Sequence, residues 1–294
     1  MVGPVRVVVR RGGVIEATHV VHAALVRDGE LVAAAGDPRL VTLLRSSAKP
    51  FQALPLARAY DDLDMRELAI ASASHLALPD QLDAVRLLLA RASATEDDLE
   101  CGPDGNPPSR LNHNCSGKHA GMLAVCRRSG WPTAGYRLAD HPVQRQNLRD
   151  VAAAAGIDPA GMATAVDGCG VVTFALELVQ MAGMFSRLET TDEGKAVAAA
   201  MRAHPELVRG PRGTDTLLMQ AIPGAIAKGG AEGLMCGKLP DVTGFAFKCE
   251  DGESRALRPA LATLLAPLGY QLPDFAEVPV ENSRGEGVGT ISIV

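Results

Sequence analysis

The first forty residues carry hydrophobic runs that predict antiparallel β-sheet. Residues 5–10 are rich in valine, and β-branched side chains fit a pleated surface well. Two further apolar runs flank Asp28-Gly29, and this dipeptide between such runs is a strong signal for a hairpin. Asp37-Pro38 then ends the strand pattern, because proline cannot donate a hydrogen bond to a sheet.

The hydrophobic pattern then changes, and the middle of the chain is predicted to be helical. The first helix is predicted to begin near Ser46, and a second begins at Pro79 and continues through residues 87–89. A third helix is predicted to end near Gly130. The other predicted helices cover residues 137–155, 173–188, a segment capped by Thr191-Asp192, 213–223 and 253–268. Strands return at residues 234–236 and 244–249, after a lysine-containing turn at 227–233, and at residues 289–294.

This order of elements predicts the α+β class. Strands lie at both ends of the chain with helices between them, so we expect an antiparallel sheet made from both chain ends and an inserted helical region. The sequence has no internal repeat, and its glycine and proline clusters are spread too evenly to mark a linker. Residues 1–294 are therefore expected to form a single domain.

Composition narrows the class of protein. Apolar residues make up 47% of the 294 residues, whereas aromatic residues make up 3% and the formal net charge is −5. This balance argues against nucleic acid or an anionic membrane as the main partner. The sequence has no basic-then-apolar leader and no apolar run of about 18 residues, so we expect a cytoplasmic protein. The six irregularly spaced cysteines favour reduced thiols over a disulfide framework.

Lysine is rare in this chain, which has 23 arginines and only six lysines. Where arginine supplies ordinary surface charge, a lysine is of interest because it can offer a removable proton or a lone pair, which arginine cannot. The six lysines are Lys49, Lys118, Lys195, Lys228, Lys238 and Lys248.

Ser46 and Lys49 form the motif that stands out most. Their spacing at the start of a predicted helix places both side chains on one face. A serine next to a lysine whose pKa is lowered can act as a nucleophile. By itself the spacing is more typical of a capping serine followed by a surface lysine, and only the supporting residues further along the chain favour the catalytic interpretation. Ser74, at the exit of a small apolar segment, is a second candidate for proton transfer.

Groups able to bind a metal concentrate before a predicted helix at residues 101–121. By general rules His113, Cys115 and His119 are the zinc candidates, with Cys169 as a distant fourth. Their spacing matches no structural zinc motif, so this reading stays open. Ser116 and Lys118 are also a candidate second serine-lysine pair. Cys169 lies between two glycines in Asp167-Gly168-Cys169-Gly170, which predicts either a turn that approaches a ligand or a buried thiol.

Together these motifs resemble known enzyme families. A serine-lysine motif that opens a helix, a later serine and a lysine-glycine turn are similar to the serine β-lactamase and penicillin-binding-protein layout, although Ser74-His75-Leu76 and Lys228-Gly229-Gly230 differ from its motifs. The sequence resembles the asparaginase II family, the class 3 or rhizobial-type L-asparaginases, more closely. Five blocks carry that resemblance, in order along the chain: residues 45–53, 73–75, 112–119, 167–170 and 228–233.

The resemblance implies a β-lactamase-like fold and, usually, a homodimer. It also implies that the protein hydrolyses L-asparagine to L-aspartate and ammonia. It implies a zinc site made by Cys115, Lys118 and Cys169, in place of the histidines that general rules favour. It also implies two serine-lysine pairs, Ser46 with Lys49 and Ser74 with Lys228. The substrate-binding residues expected from the same resemblance are Arg45 for the α-carboxylate, Asp167 for the α-amino group, and His75.

Two rival functions remain open at the level of sequence. One is a serine amidohydrolase that acts on another amide, such as glutamine or a β-lactam. The other is a zinc-dependent protein that binds amino acids without catalysis. The presence of all four residues Ser46, Lys49, Ser74 and Lys228 argues against the second, because a site that has lost activity usually loses a reacting group first.

Overall fold

The computed structural model describes residues 3–294, and eleven strands and twelve α-helices lie within that range. The strands are β1 (Val5–Arg11), β2 (Val14–Arg27), β3 (Glu30–Ala35), β4 (Val41–Leu43), β5 (Thr164–Val166), β6 (Val172–Glu177), β7 (Ile226–Gly230), β8 (Leu234–Lys238), β9 (Gly244–Cys249), β10 (Glu277–Glu281) and β11 (Gly287–Ile293). The helices are α1 (Lys49–Gln52), α2 (Leu54–Ala59), α3 (Met65–Ala71), α4 (Pro79–Arg91), α5 (Ser116–Ser129), α6 (Pro142–Ala155), α7 (Leu178–Ser186), α8 (Asp192–Ala203), α9 (Pro205–Arg209), α10 (Thr214–Ala221), α11 (Leu257–Leu265) and α12 (Pro273–Ala276).

An antiparallel sheet drawn from both ends of the chain dominates the fold. Its strands lie in the order β10-β11-β1-β2-β9-β8-β7, and β3 also pairs with β2. The long strand β2 pairs with β1 along its first half, and with β3 and β9 along its second half. A smaller sheet of order β4-β6-β5 lies in the middle of the sequence. The predicted α+β class and the sheet made from both chain ends are confirmed, while the β-lactamase-like assignment stays a prediction.

Helices cover the sheet where its strands are most apolar. All six residues of β9 are buried, and because successive side chains point to opposite faces of a sheet, both faces of this strand are covered. The helices packed on β9 are α7 and α11. Most of the other helices belong to the stretch of sequence between β4 and β7 and pack against one another. Among them, α3 contacts α4, α5 and α8. No helix in residues 3–294 is both long and apolar enough to cross a membrane.

Three predicted elements differ from the structure. The predicted helix at residues 173–188 is wrong in its first part, which forms the buried strand β6 before α7 begins at Leu178. The helix predicted to begin at residue 137 begins at Pro142, and proline is favoured in a first helical turn. Lys228 was predicted to lie in a turn but lies within β7, with the turn following at residues 231–233.

Candidate active site

Ser46 lies on a constrained turn between β4 and α1. Arg45 to Ala48 form a single turn of 3-10 helix, and Arg45 has a φ of 45°, which is uncommon for a residue other than glycine. The Arg45 amide donates to Thr173 Oγ1 at 3.0 Å, and its guanidinium Nε donates to Asp167 at 2.5 Å. Strain of this kind persists where the surroundings hold it in place. Ser46 is half-buried and lines an open cleft.

Lys49, three residues later, is fully buried. Its Nζ donates to Ala73 O at 2.6 Å and to Ser74 Oγ at 2.8 Å. Burial lowers the pKa of Lys49, and the nearby Lys118 lowers it further, while the sulfurs of Cys115 and Cys169 act in the opposite direction. The alternative of a surface lysine after a capping serine is therefore wrong.

The serine bonded to Lys49 is Ser74, which differs from the pairing implied by the family resemblance. Ser74 lies on the extended segment after α3, whose amides donate to carbonyls on two other parts of the chain: Ser74 N–H to Val208 O at 2.8 Å, and His75 N–H to Asn114 O at 3.2 Å. These contacts bring the Ser74 hydroxyl to the buried amine. Ser46 and Ser74 line the same cleft.

Lys228 lies on β7, whose next two residues, Gly229 and Gly230, line the same cleft. Its side chain is fully buried, and its Nζ donates to Gly229 O at 2.7 Å. Burial lowers the pKa of Lys228 to about 7, against the opposing effect of Asp215, and Lys49 and Arg209 lower it further. The strand also contacts the Ser46 turn directly, because Ser47 Oγ donates to Lys228 O at 2.8 Å. The family resemblance implies a hydrogen bond between Lys228 and Ser74. In the structure, Lys228 Nζ donates to Gly229 O instead.

Asp215 is a buried carboxylate that sequence reasoning missed. It accepts a hydrogen bond from the Gly229 amide and lies 3.7 Å from Lys228 Nζ. Asp215 stands in the first turn of α10, where acidic residues are common because they complement the helix dipole. Nothing in the sequence therefore distinguishes it from an ordinary helix-start residue.

The cleft between these groups has a volume of about 310 Å³. Both serines line it, together with Asn114, Arg209 and Asp215. Its size suits a small polar molecule, which is the class of ligand that convergent polar groups in a concave site usually bind.

The three residues predicted to bind zinc come together from two separate segments of the chain. Cys115 precedes α5, Lys118 lies in its first turn, and Cys169 lies on the turn between β5 and β6. Lys118 Nζ donates to Cys169 Sγ at 3.1 Å. The interaction with Cys169, together with nearby lysines, holds the pKa of Cys115 well below its usual range. A thiolate beside a second thiol matches the sulfur ligands that zinc prefers. Burial alone would lower the pKa of Lys118, but the sulfurs of Cys169 and Cys115 raise it, so zinc would have to displace the ammonium proton before the nitrogen could bind. With that proton released, the residues fit this metal.

The two histidines favoured by general rules have other partners. His113 Nδ1 accepts from the Cys115 amide at 3.0 Å. His119 Nδ1 forms a hydrogen bond of 2.8 Å with the Tyr136 hydroxyl, while its buried Nε2 has no partner among the described residues. The Ser116–Lys118 pair is not formed either, because the Ser116 hydroxyl donates to Leu111 O at 2.9 Å.

The expected substrate-binding residues lie around the same site. Asp167 holds Arg45 in the ion pair beside the Ser46 turn. His75 is buried, and its Nδ1 accepts from the Ala77 amide at 3.1 Å. Its Nε2 therefore carries the proton and donates to Ser116 Oγ at 2.8 Å. Burial lowers the pKa of His75 to about 4. A neutral His75 thus supports the loop before α5, which carries Cys115.

A second group of metal-capable side chains consists of His19, Cys249 and Asp251. Asp251 accepts from His19 Nδ1 at 2.6 Å and from Cys249 Sγ at 3.0 Å. Arg255 donates to His19 Nε2 at 3.0 Å. If Nδ1 bound a metal, the ring proton would lie on Nε2 and point at the N–H of Arg255, so two donors would face each other. The three side chains therefore favour hydrogen bonding to one another over binding a metal.

Four of the other five lysines resemble Lys49 in being buried. Lys118, Lys228, Lys238 and Lys248 are each less than a tenth exposed. Lys238 pairs with Glu189 at 2.5 Å, and Lys248 donates to the Glu232 carbonyl at 2.7 Å. Lys195 is exposed, as its position near the start of a capped helix predicted.

Comparison with known proteins identifies the family of the chain. A family model described as L-asparaginase II matches residues 7–293, nearly the whole chain. A search of curated proteins found no match. The family match covers every one of the ten predicted site residues. The chain therefore belongs to the L-asparaginase II family, a family of amidohydrolases.

Proposed function

We propose that this amidohydrolase converts L-asparagine to L-aspartate and ammonia through an acyl-enzyme intermediate on Ser46. The observation that carries the proposal is the pair of fully buried lysines, Lys49 and Lys228, whose pKa values are lowered beside a cleft lined by two serines. A lysine is a proton acceptor only in its neutral form, and burial favours that form.

In the proposed first step, Ser46 Oγ attacks the side-chain amide carbon while its proton passes to the neutral Lys49 amine. Lys49 has two hydrogen-bond acceptors, Ala73 O and Ser74 Oγ. These contacts use the two N–H bonds of a neutral amine and leave its lone pair free to accept the proton. The nitrogen of the amide then leaves as ammonia after it receives this proton, and Ser46 remains as an ester.

In the second step, water attacks the ester carbon and gives its proton to a neutral amine. Aspartate is released and the Ser46 hydroxyl is restored. We assign Ser74 and Lys228 to this proton transfer and to stabilising charge near the reacting carbon. Asp167 is assigned to the substrate's α-amino group, as the family resemblance implies, and Arg45 is held beside it by their ion pair. His75 supports the loop before α5.

We further propose that Cys115, Lys118 and Cys169 hold zinc and that the enzyme is a homodimer. Zinc bound there would supply a Lewis acid beside the cleft. Support for the metal comes from the convergence of two sulfurs and an amine, one thiol having a strongly lowered pKa. Lysine fits this role because a neutral amine has a lone pair, whereas a guanidinium does not.

The direct test is ammonia release from L-asparagine by the Ser46→Ala variant. We expect kcat to fall by roughly 1,000-fold or more, because removal of a nucleophile costs at least that in comparable serine enzymes. Ser129→Ala, a change at an exposed serine at the end of α5, is the matched control. A Ser46→Ala enzyme that keeps most of its kcat would rule out the nucleophile. Parallel assays with L-glutamine and a chromogenic β-lactam separate asparaginase activity from the rival amidohydrolases.

A further inference from the structure

Arg209 is a charged residue of the cleft to which the proposed reaction assigns no role. It is the last residue of α9, and its half-buried side chain lines the cleft with Ser46 and Ser74. Its Nη1 donates to Ser74 O at 3.1 Å. That bond fixes the guanidinium next to one of the two serines and uses only one of its five N–H donors.

The charge of Arg209 has no carboxylate partner in the protein. Within residues 3–294, no carboxylate oxygen lies within 4.0 Å of its nitrogens. The two acidic groups nearest the chemistry are engaged elsewhere, since Asp167 pairs with Arg45 at 2.5 Å and Asp215 accepts from the Gly229 amide. Arg209 also lies close enough to lower the pKa of Lys228. An unpaired cation therefore faces the same space as the reacting groups.

The backbone beside Arg209 leaves room for its side chain. A Cβ added to Gly213 would lie 2.2 Å from Arg209 Cγ and 2.6 Å from Arg209 Cβ. The φ of Gly213 is −66°, so the glycine is needed here for space and not for its backbone conformation. The loop between α9 and α10 is thus shaped around the arginine.

We infer that Arg209 binds the α-carboxylate of the amino-acid substrate. A guanidinium matches a carboxylate with two parallel N–H donors, and such pairs are stronger than neutral hydrogen bonds. The inference rests on the proposed function for the identity of the substrate. The family resemblance implies that Arg45 binds this carboxylate, but the Nε of Arg45 already donates to Asp167. Arg209 then selects amides that carry a carboxylate and holds them against the Ser46 side of the cleft.

The kinetic test compares L-asparagine with β-alaninamide, which is asparagine without its α-carboxylate. In Arg209→Gln, we expect kcat/KM for L-asparagine to fall roughly 100-fold, the usual cost of removing one partner of a charge pair in a binding site. Arg209 also lowers the pKa of Lys228, so both substrates are compared on the alkaline plateau of the pH profile, where Lys228 is neutral in either protein. There the value for β-alaninamide should change less than about threefold, because that substrate lacks the group that the arginine binds. Arg209→Lys should recover only part of the loss, since an ammonium lacks the paired donors.

Three other variants make the assignment specific. Gly213→Ala should lower the preference for L-asparagine without altering the arginine itself, because its methyl group displaces the Arg209 side chain. Arg45→Gln tests the rival arginine, and Arg86→Gln, at an exposed position on α4, controls for net charge. Loss of the asparagine preference in Arg45→Gln but not in Arg209→Gln would overturn the inference. An equal loss for both substrates in Arg209→Gln would also overturn it.

Calorimetric binding of the product L-aspartate keeps this test separate from the test of the proposed function. We expect Kd for L-aspartate to rise roughly 100-fold in Arg209→Gln and to stay unchanged in Arg86→Gln. If the wild-type protein releases no ammonia but binds L-aspartate through Arg209, the proposed function fails and the inference stands. If ammonia is released and Arg209→Gln binds L-aspartate as tightly as wild type, the inference fails and the function stands.

Discussion

Burial and a neighbouring carboxylate act on the charge of Lys228 in opposite directions. Burial within β7 favours the neutral amine, while Asp215, 3.7 Å away, favours the ammonium. The resulting pKa of about 7 gives a residue that changes its charge near neutral pH. A general base is most effective when its pKa lies close to the working pH.

Asp215→Asn should move the acidic limb of the pH profile. Without the carboxylate, the ammonium form of Lys228 loses its stabilising charge, so its pKa falls further below the wild-type value of about 7. Because the neutral amine is then present at lower pH, we expect the rise of kcat/KM to shift down by roughly one pH unit. Asparagine keeps an acceptor for the Gly229 amide. A profile identical to wild type would show that Asp215 does not tune this lysine, and Asp192→Asn at the surface is the control.

The sulfur pair allows a direct test of metal binding. Cys169→Ser should reduce bound zinc to well below one per chain, because it removes one of three proposed ligands. The measurement is elemental analysis after dialysis. The control Cys126→Ala, at a buried cysteine on α5 that is not a proposed ligand, should keep its metal. Unchanged zinc in Cys169→Ser would contradict the ligand assignment.

Some of these residues could be found from sequence, and others could not. Ser46 and Lys49 are marked by their spacing, and lysine stands out in a chain that otherwise uses arginine. Asp215 and Arg209 carry no such mark, since an acidic residue at a helix start and an arginine at a helix end are both common. Which serine Lys49 contacts was also hidden, because it depends on how the segment at Ser74 crosses the buried amine.

At the scale of elements, prediction failed where tertiary burial outweighed local pattern. Residues 172–177 form β6, and four of these six residues are buried. Short apolar runs of this kind fit a strand or a helix equally well by periodicity. The helix predicted from residue 137 begins at Pro142 instead, where proline favours a first helical turn, and the turn predicted to contain Lys228 begins after β7 ends at Gly230.

The packing of α7 on β9 gives a prediction at this scale. A Cβ at Gly244 would lie 1.9 Å from Ala182 O and 2.6 Å from the Ser186 amide nitrogen. Since both are backbone atoms of α7, the helix would have to move away from the sheet. We expect Gly244→Ala to lower the free energy of unfolding by about 3 kcal/mol, at the upper end of common overpacking costs.

Urea unfolding measures this change, and Gly13→Ala is the matched control. No atom lies within 4 Å of a Cβ at Gly13, so that change should stay within about 0.5 kcal/mol. Equal stabilities for the two variants would show that α7 accommodates the extra methyl group.

At the scale of the whole molecule, the sheet brings distant parts of the sequence into one site. Ser46 follows the N-terminal strands and Lys228 lies on a strand near the C-terminal end, yet Ser47 bonds the Lys228 carbonyl. The order of elements predicted a sheet made from both chain ends, but the pattern of a single chain does not specify which strands become neighbours. That arrangement depends on long-range pairing such as β2 with β9.

The buried neutral His75 predicts loss of stability in acid. Its pKa is about 4 in the folded protein, against an ordinary value of 6.5. Because the folded-state value is the lower one, the stabilising effect is present above pH 6.5 and is lost as pH falls to about 4. The difference corresponds to about 3 kcal/mol.

Denaturant unfolding from pH 7 to pH 4 measures this loss. His75→Gln should show a shallower decline than wild type over that range, since glutamine does not titrate. His204→Gln, at a half-buried surface histidine, should decline as wild type does. An equally steep decline in His75→Gln would assign the acid sensitivity to other groups.

The burial of five of the six lysines has a practical consequence for handling the protein. Acylating reagents that modify amines need a solvent-accessible nitrogen, and among the side chains only Lys195, on the outer face of α8, offers one. Among the side chains, such a reagent would therefore attach a fluorophore or a solid support at this one residue.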